Sequence, residues 1–195
     1  MYKNACLINT ISGGNMKKLF LLLIGVMALF TLTGCDSLMN TPTKRVEALL
    51  NSYKTEDKKV LEQLDKVLLS ETIMDSSLKE RYRNLMLRQY RDLTYKIKNE
   101  TIDGNNATVE VEIMVYDYNS AIKEVEDKVL NDKDYVDESG NVKTTKFNEE
   151  KIKRMEETKN RITYTINFTV AKIDNKWVVD DLTETERMKI HGLYA

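Results

Sequence analysis

Few residues in this chain could do chemistry, and their spacing limits what chemistry that is. One histidine, His191, stands in 195 residues, so imidazole catalysis and His-rich metal sites have a single group to draw on. It follows the last strand pattern in Met188-Lys189-Ile190-His191-Gly192 and reads as a surface or helix-end histidine rather than a general base. Cys6 and Cys35 are the only thiols; two cysteines cannot build a zinc ribbon, and no Ser or Cys nucleophile has a partner base. Asp132, Asp134, Asp137 and Glu138 invite a calcium reading, but no register gives D-x-[DN]-x-[DN]-G followed by Glu. The sharp-turn glycine is missing, so they read as solvated loop acids. Asp180 and Asp181 are adjacent, and successive strand residues point to opposite faces, which prevents them from acting as a pair. Arg81, Arg83, Arg88 and Arg91 could hold an anion, yet they share their helix with Glu80 and Asp92 and read as a charged, solvated face. Tyr116, Tyr118, Tyr164 and Trp177 combine contact area with a polar tip, as a pocket or contact surface needs. The competing reading makes Tyr164 and Trp177 core residues and has Tyr116 and Tyr118 shield the base of an insertion. No catalytic residue, metal or cofactor is expected.

Composition narrows the class. The chain is 42% hydrophobic and 31% charged, with 30 Lys and Arg against 31 Asp and Glu. Collagen-like, disulfide-rich and wholly disordered classes are excluded, and the length suits one domain or at most two.

The front of the chain has its own grammar. Lys17 and Lys18 form a basic region, and Leu19 to Leu32 is an uncharged run of 14 residues. A spanning helix needs about 20 apolar residues, so the run suits a signal peptide better than a membrane span. It ends in Leu32-Thr33-Gly34-Cys35, which resembles the lipobox of bacterial lipoproteins. That resemblance implies cleavage between Gly34 and Cys35 and a diacylglyceryl group on the Cys35 thiol. Residues 1–15 fit no part of a signal; they are read as an upstream mis-start or an extended n-region, with Met16 as the expected start. Removing residues 1–34, which hold three lysines and no acid, leaves 27 basic against 31 acidic residues, a charge of −4. That sign disfavours nucleic acid as a partner. Residues 35–41 form a short lipidated tether; its six residues from Asp36 reach about 20 Å when extended, so the domain at 42–195 should lie close to the membrane.

Helical periodicity opens that domain. Val46, Leu49, Leu50 and Tyr53 repeat at helical spacing behind Thr41 as cap and Pro42 in the first turn. A second stripe is Val60, Leu61, Leu64, Val67 and Leu68. A third helix is expected to start at Ser77, from the capping-box spacing to Glu80, with Leu78, Tyr82, Leu85, Met86 and Leu93 inward. At Thr94 the period changes to two. Asp103-Gly104-Asn105-Asn106 marks a hairpin turn, and Val109, Val111, Ile113 and Val115 line one face of the next strand, with Met114, Tyr116 and Tyr118 on the other. A second hairpin runs from Ile162 to about Leu182, turning at Asp174-Asn175-Lys176. Between the hairpins, residues 119–160 are expected to be a helical insertion: one helix with Ile122, Val125, Val129 and Leu130, and a second capped at Asn148-Glu149-Glu150. Its polar middle is expected to add little to the core. Clean alternation in both hairpins predicts a sheet with one solvated face and one packed on helices.

Helices followed by antiparallel strands, ending in Asp174-Asn175-Lys176-Trp177-Val178-Val179-Asp180-Asp181, resemble the NTF2-like or cystatin-like group. The resemblance implies an α+β fold with N-terminal helices on a curved antiparallel sheet of about four strands, and a pocket between helices and concave face. Enzymes of that group use Asp-His or Tyr/Asp/His sets in the pocket, which a lone His191 beyond the last strand does not reproduce. The expectation is a non-enzymatic, lipid-anchored envelope protein on the extracytoplasmic side of the cell membrane. Its domain would act as a binding or scaffolding module for an envelope protein; the alternative is a carrier holding a small ligand in the concave pocket.

Overall fold

The structure, a computed structural model, describes residues 40–195. The readings of the start, the signal, the lipobox with Gly34 and Cys35, and most of the tether therefore lie outside the described residues.

Three helices come first. In α1 (Pro42–Lys54) the Thr41 side chain accepts from the Lys44 N–H and Pro42 occupies the first turn, where its missing N–H costs nothing. Val46, Leu49, Leu50 and Tyr53 form its buried stripe. Asp57 caps α2 (Lys58–Ser70) through the Lys59 N–H. In α3 (Ser76–Asp92) the cap is Asp75, which accepts from the Leu78 N–H at 2.9 Å. The helix thus begins one residue before the expected Ser77 start, because a carboxylate one position upstream of the Ser-Ser pair supplies the acceptor.

Four strands follow in sequence order as one open antiparallel sheet: β1 (Thr94–Asp103), β2 (Asn106–Tyr116), β3 (Arg161–Ile173) and β4 (Lys176–Val179). β1 carries a bulge at Lys98, which bends its strand. β2 and β3 pair without interruption from Asn106↔Ala171 to Tyr116↔Arg161, so the two hairpins form one sheet despite the segment between them. Asp174 and Asn175 both take positive φ in the β3–β4 turn, a conformation Asp and Asn tolerate better than most residues. On β2, Val109, Val111, Ile113 and Val115 are fully buried, as are Ile166, Phe168 and Val170 on β3 to within a few per cent. The helical layer covers this face. Each such side chain contributes roughly 1.5–3 kcal/mol on burial. Thr163, Thr165, Asn167 and Thr169 stand exposed on the opposite face. The α+β architecture and the one-sided sheet agree with the sequence reading.

Between β2 and β3 lie α4 (Tyr118–Asn131), a 3₁₀ turn (Lys133–Tyr135) and α5 (Thr144–Glu157). α5 starts four residues before the expected cap at Asn148 and has no side-chain cap. Buried Phe147 holds that first turn in place, with packing replacing the missing cap. The insertion divides in two. Ala121, Ile122, Ile152 and Met155 belong to the main core, while Val125, Val129, Tyr135 and Phe147 form a small core of their own, with Val142 against it. The polar middle adds only Tyr135 and Val142 to the small core, while the roots of the insertion belong to the main one.

The chain closes with α6 (Glu184–His191), where Thr183 and Glu186 make a reciprocal capping box. It ends at Gly192, at φ +70°, where any Cβ would overlap the Tyr116 carbonyl and the Gln89 amide. Only glycine meets both demands.

Candidate functional site

The inner face of the sheet packs its apolar side chains into the main core, and a small cavity lies among the helices. Its lining joins Tyr53 of α1, Gln63 and Leu64 of α2, Tyr82 and Tyr90 of α3, and Arg187 and His191 of α6, around about 20 Å³. That is room for roughly one water molecule. The Tyr90 hydroxyl and His191 Nε2 lie 3.1 Å apart, and Tyr53 meets Tyr90 edge-on with centroids 5.1 Å apart. His191 ends its helix as expected, but it is buried rather than on the surface, because α6 folds back onto the helices. Burial, then the neighbouring Arg187 charge, pushes its pKa down to about 4. Burial raises Tyr53 to about 12 and moves Tyr82 and Tyr90 upward too. The tyrosines and His191 are thus neutral at ordinary pH, beside the Arg187 guanidinium. They can exchange hydrogen bonds, and burial leaves His191 a weaker base than an ordinary imidazole.

The four candidate aromatics do not converge. Tyr116 ends β2, half-buried, with its hydroxyl donating to Asp92 at 2.7 Å. That bond, then burial, raises its pKa. The Arg88 and Arg161 guanidinium carbons stand 4.4 and 4.9 Å from its ring centre. Tyr118 was expected on the strand face opposite Val115; it is instead the first residue of α4 and fully buried. The period breaks at Asp117, whose carboxylate caps the Ser120 N–H, so alternation cannot be carried past Tyr116. The two rings nevertheless stack 5.9 Å apart, at the root of the insertion. Tyr164 donates to the Tyr194 carbonyl. Trp177 is buried on β4 beside Lys172. These are packing and locking positions: Tyr116 and Tyr118 at the root of the insertion, Tyr164 on β3 and Trp177 on β4.

Two polar locks escaped sequence reasoning. Gln89 is completely buried; its amide oxygen accepts from Tyr116 N–H at 2.8 Å and its nitrogen donates to Tyr116 O at 3.1 Å, closing the end of β2 as a strand would. Arg88 donates to the carbonyls of Met155, Glu156 and Thr158. Those carbonyls have no partner within the helix end, so a cation there satisfies them. Polar residues inside an otherwise apolar stripe of α3 were the available signal. The rest of the Arg set lies on a partly to fully solvated face, as read from the sequence, and is also ion-paired there: Arg81 grips Glu156 with two bonds, Arg83 meets Asp65 and the exposed Arg91 meets Glu56.

The acidic loop is a run of turns. Asp132 accepts from Asp134 N–H, and Asp137 accepts from Ser139 and Asn141 N–H, bonds that hold its carboxyl below the usual range. Among the described residues, no group of three His, Cys, Asp or Glu is placed to hold a metal.

The other end of the domain carries its connection to the tether. Asn40 Nδ2 donates to Asn175 O and Asn40 Oδ1 accepts from Trp177 N–H, both at 2.9 Å. Thr43 donates through its N–H and its hydroxyl to Glu100. The chain therefore enters the domain stitched to the β3–β4 turn and to the far part of β1. Compared with known families, curated proteins and solved structures, the chain matches none of them.

Proposed function

We propose that this chain is a lipoprotein held by lipid on Cys35 to the outer side of a bacterial membrane, with its α+β domain serving as a non-catalytic binding or scaffolding module. The observation that carries the anchor is the ordered series of Lys17-Lys18, an uncharged 14-residue run and Leu32-Thr33-Gly34-Cys35. The attachment of Asn40 to one end of the sheet suits a domain suspended close to its anchor. The module reading draws support from the packed interior beneath the sheet and from a helix-lined cavity of about 20 Å³, against the 300–1,000 Å³ typical of small-molecule sites (roughly). The carrier alternative, in the concave pocket, would need a larger opening than this helix-lined cavity offers. Kinship with NTF2-like or cystatin-like domains stays part of this proposal, motivated by the order of elements and the Asp174–Asp181 hairpin.

Intact mass spectrometry of the membrane-fraction protein tests the anchor. The expected species begins at Cys35 and carries the diacylglyceryl group. An unmodified chain retaining residues 16–34 removes the basis for the membrane location. Cross-linking in the native membrane then tests the module: a protein partner captured on the domain supports it, and a co-purifying small ligand favours the carrier.

A further inference from the structure

We propose that the hairpin end of the sheet rests in the headgroup layer of the lipid bilayer, so that the domain stands end-on to the membrane rather than hanging freely from its tether. This rests on the lipid-anchor reading and adds an orientation and a contact surface to it.

Both hairpins carry the same pair at their turns, Ile102-Asp103-Gly104 and Ile173-Asp174-Asn175. The isoleucines are 52% and 56% exposed, each the lone large apolar residue in a polar stretch. Asp103 pairs with Asn106, Asn106 with Ala171 and Ile173 with Lys176, so both turns lie at one end of the sheet. The Lys172 N–H donates to Asn105 O at 2.7 Å and ties the two turns together.

Register decides what could cover both side chains. Ile102 pairs with Ala107 on the helix-covered face, whereas Ile173 continues the open face of Thr163, Thr165 and Thr169. The two isoleucines are on opposite faces, with one strand between theirs, about 10 Å apart laterally. A partner laid on either face would cover one of them. A layer bounding the end of the sheet meets both.

The tether places such a layer there. Asn40 is bonded to Asn175 and Trp177 at this same end, and the five-residue step from Cys35 spans at most about 18 Å. A lipid on Cys35 has its glycerol at headgroup level, so the turns cannot stand far from that level. The end itself is mixed: Asp103, Asn105, Asp174 and Asn175 at the turn apices, exposed Lys172 and Lys176 beside them, and two isoleucines flanking. Polar apices exclude deep insertion into hydrocarbon, and the balanced charges give no net pull toward anionic lipid. Shallow seating, with amides and lysines among phosphates and the isoleucines against the glycerol region, uses every group present.

The full chain, lipidated in its bacterial host and reconstituted in phosphatidylcholine vesicles, provides the test. An environment-sensitive fluorophore is attached to Ile102→Cys, Ile173→Cys or Lys176→Cys, with Ser139→Cys in the insertion and Asn167→Cys in mid-sheet as references. Spin-labelled headgroup lipid should cut emission at positions 102, 173 and 176 by about twofold or more, and leave position 139 nearly unchanged, since contact with the interface is confined to the layer the tether reaches. Equal quenching at all five positions, or none, overturns the proposal while a lipidated Cys35 in the same sample leaves the anchor standing. A sample whose intact mass shows no lipid on Cys35 overturns both.

Discussion

His191 buries an imidazole among the helices, and that burial has a thermodynamic consequence. In the unfolded chain it titrates near its ordinary 6.5, and in the folded one burial lowers it to about 4. Between those values the unfolded chain binds a proton that the folded chain does not, so stability falls as pH falls through that window and is unaffected above it. From pH 7 to pH 5 the loss is about 2 kcal/mol. Urea midpoints at the two pH values should therefore drop further in the wild type than in His191→Gln, and the difference between the drops isolates the histidine from carboxylates that titrate lower. Equal drops would show that His191 is not shielded as its packing against Tyr53 and Tyr90 requires. Gln89 belongs at this scale too. Its place in an apolar stripe marks it as unusual but not what it binds, because its partner is a backbone group 27 positions away; likewise His191 is legible as a helix-end residue and illegible as a buried one.

Among the elements, the insertion has parts of unequal stability. Its outer turn, 132–146, is held by short-range bonds, a single bridge between Val136 and Val142 and exposed acids. Few buried apolar contacts make such a segment open locally before the whole fold does. Limited proteolysis should cut first within 132–146 and leave both hairpins protected. Replacing 132–142 by a short Gly/Ser linker should preserve the sheet. Deleting 119–160 should abolish the cooperative thermal transition, since it removes Ile122, Ile152 and Met155 from the core and the carbonyls that Arg88 satisfies. A full deletion that still melts cooperatively would contradict the rooting of α4 and α5 described above.

For the molecule as a whole, stability has to come from packing. One contiguous core runs from α1 through the sheet to Leu193, and at about 150 residues a domain buries some 70% of its unfolded surface. A domain starting at Asp36 contains no cysteine, and no metal-holding cluster occurs among the described residues. Its circular dichroism should show mixed helix and sheet, unchanged by chelator or reductant. Loss of ellipticity with chelator would reveal a metal contributing folding energy.

Local pattern was enough to order α1 to α5 and the four strands, to tell which face of β2 and β3 is apolar, and to locate both hairpin turns, though not to find α6. These depend on period, caps and turn residues within a few positions of one another, and local sterics and hydrogen bonding do not need the rest of the chain. The sequence also supplies the whole case for lipid on Cys35. Assembly of the fold is what takes Tyr118 from the strand into the core, buries His191, makes locks of Arg88 and Gln89, and brings Asn40, Ile102 and Ile173 to one end of the sheet. Each of those facts depends on groups tens of residues apart being brought together. Such contacts leave no periodic trace, because burial and partnership belong to the packed assembly and not to any one segment of it.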